Sequence, residues 1–401
     1  MTASTTKGQV HLAVVVGTRP EAIKMAPVIQ ALRQEGEAVR LSLISTAQHR
    51  QMLDQVLNLF QLVPDLDLDI MRPNQDLAGL TARVVEKMSG VLQELRPDLL
   101  LLQGDTTTVA ATALAAFYQR VPVAHVEAGL RSFDIYNPYP EEVNRRLTSV
   151  LTELHLAPTP AARANLLAEG VPAEKIAVTG NTVVDALLSL AELPFDYEGW
   201  QQTLGAAGRR LVLVTSHRRE SWGQDLENIC WALRDLAASF PDIYIVYPVH
   251  LNPHVHGPVH AILRGVERIN LSPPQDYLTF VNLMRRAYLI LTDSGGIQEE
   301  APTFRVPLLV LRQVTERPEA VQAGMAALVG TQRQDIVQAA SRLLSDPAAY
   351  EQMQRGSNPF GDGQASRRIV LAVRRWLAGT LPLLAASEEF SSLVKAAPSH
   401  G

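Results

Sequence analysis

The sequence predicts an α/β protein with two doubly wound domains, each built around a parallel sheet. Short apolar runs alternate with helix-length amphipathic stretches along the chain. The runs are nearly continuous in Val, Leu and Ile, which is typical of strands buried on both faces of a parallel sheet. Roughly six such β/α units precede residue 185 and roughly six follow residue 208, so the alternation indicates two domains of one class.

The predicted strands are the apolar runs themselves. In the first half they are VHLAVVV, VRLSLIST, PDLLLLQ, VPVAHV, ELHLAP and KIAVT, and in the second RRLVLVTS, DIYIVYP, RINL, AYLILTD, VPLLVL and AALVG. The stretches between them have helical periodicity. In LTARVVEKMSGVLQELRPD, apolar residues recur at helical spacing and a proline follows the end of the pattern, at Leu80, Val84, Met88, Val91, Leu95 and Pro97.

A break in this periodicity marks the domain boundary. The stretch around Pro194 and Gly199 has no clear helical or strand pattern. The end of the chain, beyond a last helical stretch, has a composition that predicts loose order. We therefore predict an N-terminal domain at 1–185, a linker at 186–207, a C-terminal domain at 208–362, a helix at 363–382 that packs back on the N-terminal domain, and a loosely ordered tail at 383–401.

Composition excludes several classes of protein. Thirty-six Lys and Arg against 41 Asp and Glu give a formal net charge of -5, and aromatic residues make up 5%. Nucleic-acid and anionic-membrane binding need clustered positive charge, so neither partner is expected. The one cysteine, Cys230, excludes an intrachain disulfide framework and a cysteine zinc site, and suits a cytoplasmic location. No apolar run approaches the roughly 18 residues of a membrane span.

Polar residues follow the predicted strands in the first half, where ligands bind in open α/β sheets. GTRPEAIKMAP follows the first strand and places Arg19 and Lys24 near a helix start, which favours anions. Asp105 follows a later strand, where it could also simply cap a helix. Glu127 ends the next strand, and Glu141 precedes a further helix. Carboxylates brought together in a cleft have perturbed pKa values and can share acid/base work.

The second half predicts an anion site. SHRRE follows a strand and contains His217 beside two arginines, and a later strand ends at His250. LTDSGGIQEEAP carries Ser294, Gly295 and Gly296 between a strand and a helix, where small residues let backbone amides approach a phosphate. The two halves together predict a cleft for an anionic ligand that contains a pyrophosphate, with carboxylates on one wall and cations on the other.

Several common motifs do not occur. The sequence has no GxGxxG, no GxxxxGK[ST], no HExxH and no GxSxG. The absence of these four motifs disfavours, in the same order, a dinucleotide redox cofactor, a P-loop nucleotide site, zinc-dependent hydrolysis and an α/β-hydrolase nucleophile. We expect no cofactor and no metal.

Eleven motifs in order resemble the non-hydrolysing bacterial UDP-N-acetylglucosamine 2-epimerases between about residues 10 and 375. They are GTRPEAIKMAP, TAQHRQML, GDTTT, HVEAGLR, PEEVNRR, TGNTVVDAL, HRRE, YPVHLNP, LTDSGGIQEEAP, TERPE and SNPFGDGQASRRIV. The resemblance implies two Rossmann-like domains of the glycosyltransferase-B type with the active site in the interdomain cleft. It also implies a homodimer that interconverts UDP-GlcNAc and UDP-ManNAc for cell-envelope polysaccharides.

The resemblance also implies roles for single residues. Asp105, Glu127 and Glu141 resemble the acid/base carboxylates, with the assignment of acid and base left open. His217 resembles the group that contacts and helps to activate the diphosphate. The positions that resemble UDP contacts are Arg19, Lys24, Ser294, Gly295, Gly296 and Arg317 for the anchor, Gln275 and Phe280 for uridine, and Glu300 for ribose.

Some family members bind a second UDP-GlcNAc as an activator. The positions that match that site here are Gln48, His49, Gln51, Arg218 and His250. Asn74 replaces an arginine that activated relatives carry before the glutamine at Gln75, and we therefore expect weaker activation.

Alternative functions remain on the sequence alone. A hydrolysing epimerase of the same fold would release ManNAc and UDP, and a retaining glycosyltransferase would need an acceptor. A non-catalytic nucleotide-sugar sensor is disfavoured because all three carboxylates are present. A related UDP-aminosugar is a further possible substrate.

Overall fold

The computed structural model describes residues 9–46, 50–72 and 75–391. It divides into two compact units. Unit 1 comprises the described residues of 1–186 together with 361–391, and unit 2 comprises 187–360. The expected α/β class, with two parallel sheets flanked by helices, is confirmed.

Unit 1 contains seven parallel strands in the order β3-β2-β1-β4-β5-β6-β7. The strands are β1 (Val10–Val16), β2 (Val39–Ser45), β3 (Leu66–Asp67), β4 (Leu99–Gln103), β5 (Val123–Val126), β6 (Leu154–Ala157) and β7 (Ile176–Val178). The helices are α1 (Arg19–Arg33), α2 (Arg50–Leu59), α3 (Leu77–Leu95), α4 (Thr107–Tyr118), α5 (Glu141–Leu151), α6 (Pro160–Ala168) and α7 (Thr182–Ala191), joined much later in the chain by α16 (Ala365–Leu377). The boundary between the units falls within α7.

Unit 2 contains six parallel strands in the order β10-β9-β8-β11-β12-β13. They are β8 (Arg210–Thr215), β9 (Ile243–Pro248), β10 (Ile269–Ser272), β11 (Leu289–Thr292), β12 (Leu308–Val310) and β13 (Ala326–Leu328). The helices are α8 (Tyr197–Leu204), α9 (Gln224–Ser239), α10 (Pro253–Leu263), α11 (Tyr277–Arg286), α12 (Gly295–Glu300), α13 (Pro318–Gln322), α14 (Arg333–Ser345) and α15 (Pro347–Gln354).

Each unit has its own apolar core between sheet and helices. In unit 1, the inner faces of α3 and α4 pack on side chains from β1, β2 and β4. In unit 2, α9, α10 and α14 pack on β8, β9 and β11. The central strands are buried on both sides, as β4 illustrates with all five residues buried. This double burial is why the strands read as continuous apolar runs in the sequence.

The structure differs from the sequence prediction in three places. Strand β3 was not predicted, because its two residues are too short to form an apolar run. The stretch 186–207, predicted as linker, contains the end of α7 and all of α8. The prediction of a loosely ordered tail from residue 383 is wrong for 383–391.

Residues 383–391 are ordered because they bury apolar side chains and extend the hydrogen bonding of unit 1. Leu383, Leu384 and Phe390 are buried. The Phe390 amide donates to the carbonyl of Val178 on the edge strand β7 at 2.9 Å. Glu388 accepts from Arg375 of α16 at 2.6 Å. The small and polar composition of this segment gave no sign of these contacts. Helix α16 itself packs against α1 of the same unit.

Within the described ranges, no helix is long and apolar enough to cross a membrane.

Candidate active site

The sheet order creates one topological switch point in each unit. In unit 1, β1 lies between β2 and β4, and in unit 2, β8 lies between β9 and β11. The loops that follow β1 and β4, and those that follow β8 and β11, lead away from each other. This divergence opens a crevice beyond the carboxyl ends of the two strands in each unit. The loops that end at these crevices carry Arg19 and Asp105 in unit 1, and His217 and Ser294 in unit 2. Predicted site residues therefore occupy the ligand-binding edge of both sheets.

Glu127 is held by two donors at the end of β5. Lys24 of α1 donates from Nζ to both of its carboxylate oxygens, at 2.8 and 2.6 Å. Gln103, the last residue of β4, donates from Nε2 to Oε2 at 2.6 Å. Glu127 also has a left-handed backbone with φ of 68°. Lys24 was predicted as a diphosphate anchor, and here it neutralises a carboxylate. Gln103 was not predicted as a site residue, because a buried polar residue at the end of a strand often has only a structural role.

Asp105 is fixed by the N-terminal half of α5. Arg145 donates to its Oδ2 from Nε at 2.9 Å and from Nη2 at 2.7 Å. The side chain of Asn144 donates to the Asp105 carbonyl at 2.9 Å. Two charge-assisted donors on one oxygen hold Oδ2 of Asp105 against Arg145. Arg145 lies in the motif PEEVNRR, in which only Glu141 was predicted as a site residue.

The two acids at the start of α5 have different environments. Glu142 is fully buried and accepts from the Ser132 amide at 2.9 Å and from Arg146 Nε at 3.0 Å. Burial alone would raise the pKa of Glu142, but the Ser132 amide, Arg146 and Arg145 outweigh it and hold that pKa below its usual range. Glu141 has a buried Oε2 with no hydrogen-bond partner among the described residues. Glu142 is therefore structural, and Glu141 keeps an oxygen available.

A neutral histidine lies beneath the loop that carries Asp105. His125 of β5 is 1% exposed, and burial lowers its pKa to about 4. Its Nε2 lies 2.7 Å from the carbonyl oxygen of Gly104, so a proton on Nε2 is donated to that carbonyl. His125 thus supports the residue that precedes Asp105.

A buried carboxylate also organises the switch point of unit 2. Asp293 follows β11 and is 0% exposed. Its Oδ2 accepts from Ser216 Oγ at 2.9 Å, from the His217 amide at 2.8 Å and from the Arg218 amide at 2.9 Å. One side chain therefore fixes the whole turn after β8. Asp293 was not predicted as a site residue. Its position at the end of an apolar run, directly before the predicted Ser294, could have indicated it.

His217 lies on this turn with its side chain only partly covered, 42% exposed, and it stacks on a second histidine. Its ring lies 5.5 Å from that of His250, with an interplanar angle of 16°. Burial, His250 and Arg218 lower the pKa of His217, although Asp293 opposes the shift. The His217 imidazole is therefore mostly neutral at pH 7 and can donate or accept one proton. Trp222 donates to the His217 carbonyl at 3.3 Å and stacks on His254.

The remaining predicted residues of unit 2 lie on the loops and short helices after β10, β11 and β12. Arg218 lies against Gly295, since a Cβ there would be 3.2 Å from Nη2 of Arg218. Arg317 precedes α13 and pairs with Glu299 of α12. Gln275 donates to the Pro273 carbonyl at 2.6 Å. Ser294 caps α12, in which Gly295, Gly296 and Glu300 lie, and Phe280 is half-buried in α11.

Gln48 and His49, two of the predicted activator-site residues, lie outside the described residues, and so does Asn74. The side chain of Gln51, a third predicted residue, is not described either. Arg218 and His250 are described and both flank His217.

No group of three or more His, Cys, Asp or Glu side chains in the described part of the chain could hold a metal ion.

Fold and site together define a protein of two Rossmann-like units, with carboxylates at the ligand-binding edge of one and histidine and arginine at that of the other. The family model for UDP-N-acetylglucosamine 2-epimerase matches residues 30–374. The UDP-N-acetylglucosamine 2-epimerase of Escherichia coli K12 is 53% identical over 366 residues, which cover 90% of this chain and 97% of that protein. The chain belongs to the UDP-N-acetylglucosamine 2-epimerase family, as its motifs indicated.

Two solved structures show the same fold. A putative UDP-N-acetylglucosamine 2-epimerase from Listeria monocytogenes aligns with a TM-score of 0.89 at 43% identity, covering 96% of this chain and 100% of that one. The UDP-GlcNAc 2-epimerase from Neisseria meningitidis, bound to UDP-GlcNAc, aligns with a TM-score of 0.82 at 47% identity, covering 91% of this chain and 100% of that one.

The Asp293 network leads to a prediction about stability. Asp293→Ala leaves one hydroxyl and two backbone amides without their buried acceptor, and we expect unfolding of the variant to require about 3 kcal/mol less free energy. Ser216→Ala removes one of the three donors and should cost about 1 kcal/mol. Urea denaturation of both variants measures the difference. Equal losses would show that the carboxylate does not organise the turn.

Proposed function

We propose that the protein catalyses reversible epimerisation at C2 of UDP-GlcNAc, giving UDP-ManNAc without net hydrolysis. Membership of the 2-epimerase family supports the substrate, as does the UDP-GlcNAc bound to the Neisseria meningitidis relative. The observation that carries the proposal is the set of three carboxylates, Asp105, Glu127 and Glu141, at the switch-point edge of unit 1. No redox cofactor is needed for the chemistry that follows.

The reaction must make an unreactive proton acidic. The C2 proton of the sugar has no neighbouring carbonyl, so a carboxylate cannot remove it directly at neutral pH. We propose that the C1–O bond breaks first, its electron pair leaving with UDP. A base then takes the C2 proton, and C1 and C2 become joined by the double bond of 2-acetamidoglucal. UDP adds back to C1 while an acid protonates C2 from the opposite face.

The environments of the carboxylates suit proton transfer in both directions. Asp105 is oriented by Arg145, and Glu127 by Lys24 and Gln103. Glu141 keeps a buried oxygen without a partner in the described structure, and can therefore bind a proton or a sugar hydroxyl. Each group that acts as a base in one direction acts as an acid in the other.

Unit 2 supplies the groups that suit the diphosphate. The mostly neutral His217 can donate a hydrogen bond to a leaving phosphate oxygen, and Arg218 and Arg317 provide positive charge. We propose Arg19, Ser294, Gly295 and Gly296 as further diphosphate contacts, Gln275 and Phe280 as uridine contacts, and Glu300 as the ribose contact. Lys24 belongs with Glu127 in this proposal, because both of its short contacts are to that carboxylate.

We also propose that a second UDP-GlcNAc acts as an activator beside His217. Arg218 and His250 are the described residues that support this proposal. Their positions allow a ligand to act on the imidazole, because His250 stacks on His217 and Arg218 follows it in the same turn.

Proton NMR of UDP-GlcNAc incubated with the protein in D₂O tests the reaction. We expect UDP-ManNAc with deuterium at C2 and no accumulating UDP. Free ManNAc with UDP would identify a hydrolysing enzyme. An unchanged spectrum would contradict epimerisation and point to a transferase that needs an acceptor.

Substitution of the carboxylates tests the catalytic assignment. Asp105→Asn and Glu141→Gln keep the shape of each side chain but remove its ability to accept a proton, so turnover should fall at least about 100-fold. UDP binding, measured by calorimetry, should stay within about threefold. Asp235→Asn on α9 is the control, since it removes a partly exposed carboxylate of unit 2 that pairs with Arg333 on α14. Wild-type turnover in either site variant would remove that residue from the mechanism.

A surface of unit 1 supports the proposal that the enzyme is a homodimer. Val143, Leu147 and Val150 are exposed at helical spacing along one side of α5, the last at 83%. Exposed aromatic and aliphatic residues lie on the packed neighbour α4 and the segment before α5, at Phe117, Tyr118, Phe133, Ile135, Tyr136 and Tyr139. A stable interface buries about 800 Å² on each partner, and exposed aromatic side chains of this kind are the groups that such an interface covers.

Charge placed on α5 tests the dimer. Val150→Asp puts a carboxylate into the apolar surface and should convert a dimer of two 43.9 kDa chains into monomers at micromolar concentration. Light scattering after size-exclusion chromatography measures the mass. Val63→Asp is the matched control, because Val63 is 75% exposed in the same unit but away from α5. A monomeric wild type, or a dimeric Val150→Asp, would refute this surface.

A further inference from the structure

We propose that Glu21 is a positioning residue that joins the two loops of the unit 1 switch point. This inference rests on the proposed function, in which Arg19 and Asp105 act on UDP-GlcNAc. Neither the motifs nor the predicted site residues assigned a role to Glu21.

The Glu21 carboxylate bridges the loop after β1 and the loop after β4. Its Oε2 accepts from the Gly17 amide at 2.6 Å and from the Thr18 amide at 3.2 Å. Its Oε1 accepts from the Thr106 hydroxyl at 2.9 Å. The residue is 3% exposed. One buried side chain thus binds both loops at the point where β1 and β4 lie side by side.

The bridged residues are the direct neighbours of two proposed site residues. Thr18 precedes Arg19, and Thr106 follows Asp105. Thr106 also accepts from the Val109 amide at 3.3 Å, so its hydroxyl is oriented by one bond on each side. A small displacement of either loop moves Arg19 or Asp105, and misplacement by about 1 Å can cost 100-fold in rate.

The Glu21 carboxylate is the acceptor that the structure gives the two amides before α1. The Gly17 and Thr18 amides precede Arg19, the first residue of α1, so no carbonyl within the helix accepts from them. Gly17 is packed so closely that a Cβ would lie 2.3 Å from Thr46 Oγ1, which leaves little room for rearrangement. Burial raises the pKa of Glu21, and in the described residues no cation pairs with it. Its role is therefore to accept hydrogen bonds rather than to balance a charge.

Substitutions at Glu21 and Thr106 can separate the effect of the bridging hydrogen bonds from the effect of the negative charge. Glu21→Gln keeps one oxygen for the two amides and can turn its NH₂ group to the Thr106 oxygen, which still has acceptor capacity. Glu21→Ala removes both halves of the bridge. Thr106→Val removes the half that reaches the second loop, and Thr106→Ser preserves it.

Hydrogen exchange and kinetics on the full chain test the proposal together. Glu21→Ala should exchange the Gly17 and Thr18 amides at least tenfold faster and reduce kcat/KM for UDP-GlcNAc at least tenfold. Glu21→Gln and Thr106→Ser should stay within about threefold of wild type in both measurements, and Thr106→Val should lower kcat at least about fivefold. Asp185→Ala is the control, since it removes another buried carboxylate of unit 1, one that accepts from the Ala365 and Ser366 amides. It should lower stability without changing exchange in these two loops.

The outcomes distinguish the possible failures. Unchanged exchange at Gly17 and Thr18 in Glu21→Ala, or a Glu21→Gln variant as impaired as Glu21→Ala, would overturn the positioning role. So would a loss of activity in Asp185→Ala as large as that in Glu21→Ala, because general destabilisation would then explain both. If the wild type does not exchange the C2 proton at all, the proposed function is wrong, and the exchange data still decide whether Glu21 holds the loops.

Discussion

A buried carboxylate that accepts hydrogen bonds from backbone amides holds the switch-point loops of each unit. In unit 1, Glu21 binds the turn after β1 to Thr106 after β4. In unit 2, Asp293 after β11 binds the turn after β8 through the amides of His217 and Arg218. The two carboxylates come from different positions in their units but join the same pair of loops. A crevice between diverging loops needs such a support, since a parallel sheet provides none beyond the ends of its strands.

With the loops fixed, the two edges acquire opposite chemistry. In unit 1 the cations Lys24 and Arg145 are engaged by the carboxylates Glu127 and Asp105. In unit 2 His217, whose pKa is lowered, stacks on His250 and precedes Arg218. Arg312 lowers the pKa of Glu316 to about 2 and so keeps Glu316 ionised as a partner for Arg218. Proton transfer and diphosphate binding make different demands on charge, and in the proposed reaction unit 1 would serve the first and unit 2 the second.

Residue patterns predicted the fold well because double burial in a parallel sheet imposes continuous apolar runs, as in β4 and β11. Candidate site residues that follow a strand, such as Asp105, Glu127 and His217, were predicted by the same reasoning. The residues that hold these candidates or their loops in place were harder to predict. Arg145, Gln103 and Glu21 act through contacts across 40, 24 and 85 positions of sequence, and no local pattern records such a contact. The order of residues 383–391 was missed for the same reason, as its hydrogen bond to β7 joins distant parts of the chain.

The backbone of Glu127 has a consequence for how the sequence can change. A left-handed residue that is not glycine costs roughly 1–2 kcal/mol, and Glu127 adopts this conformation with φ of 68°. Glycine would relieve that strain, but it would also leave Lys24 and Gln103 without this acceptor, and removing one partner of a buried ion pair costs about 3 kcal/mol or more. The ion pair therefore outweighs the strained backbone, so selection for stability alone is expected to retain the glutamate at residue 127, and its retention in a variant would not by itself report on turnover.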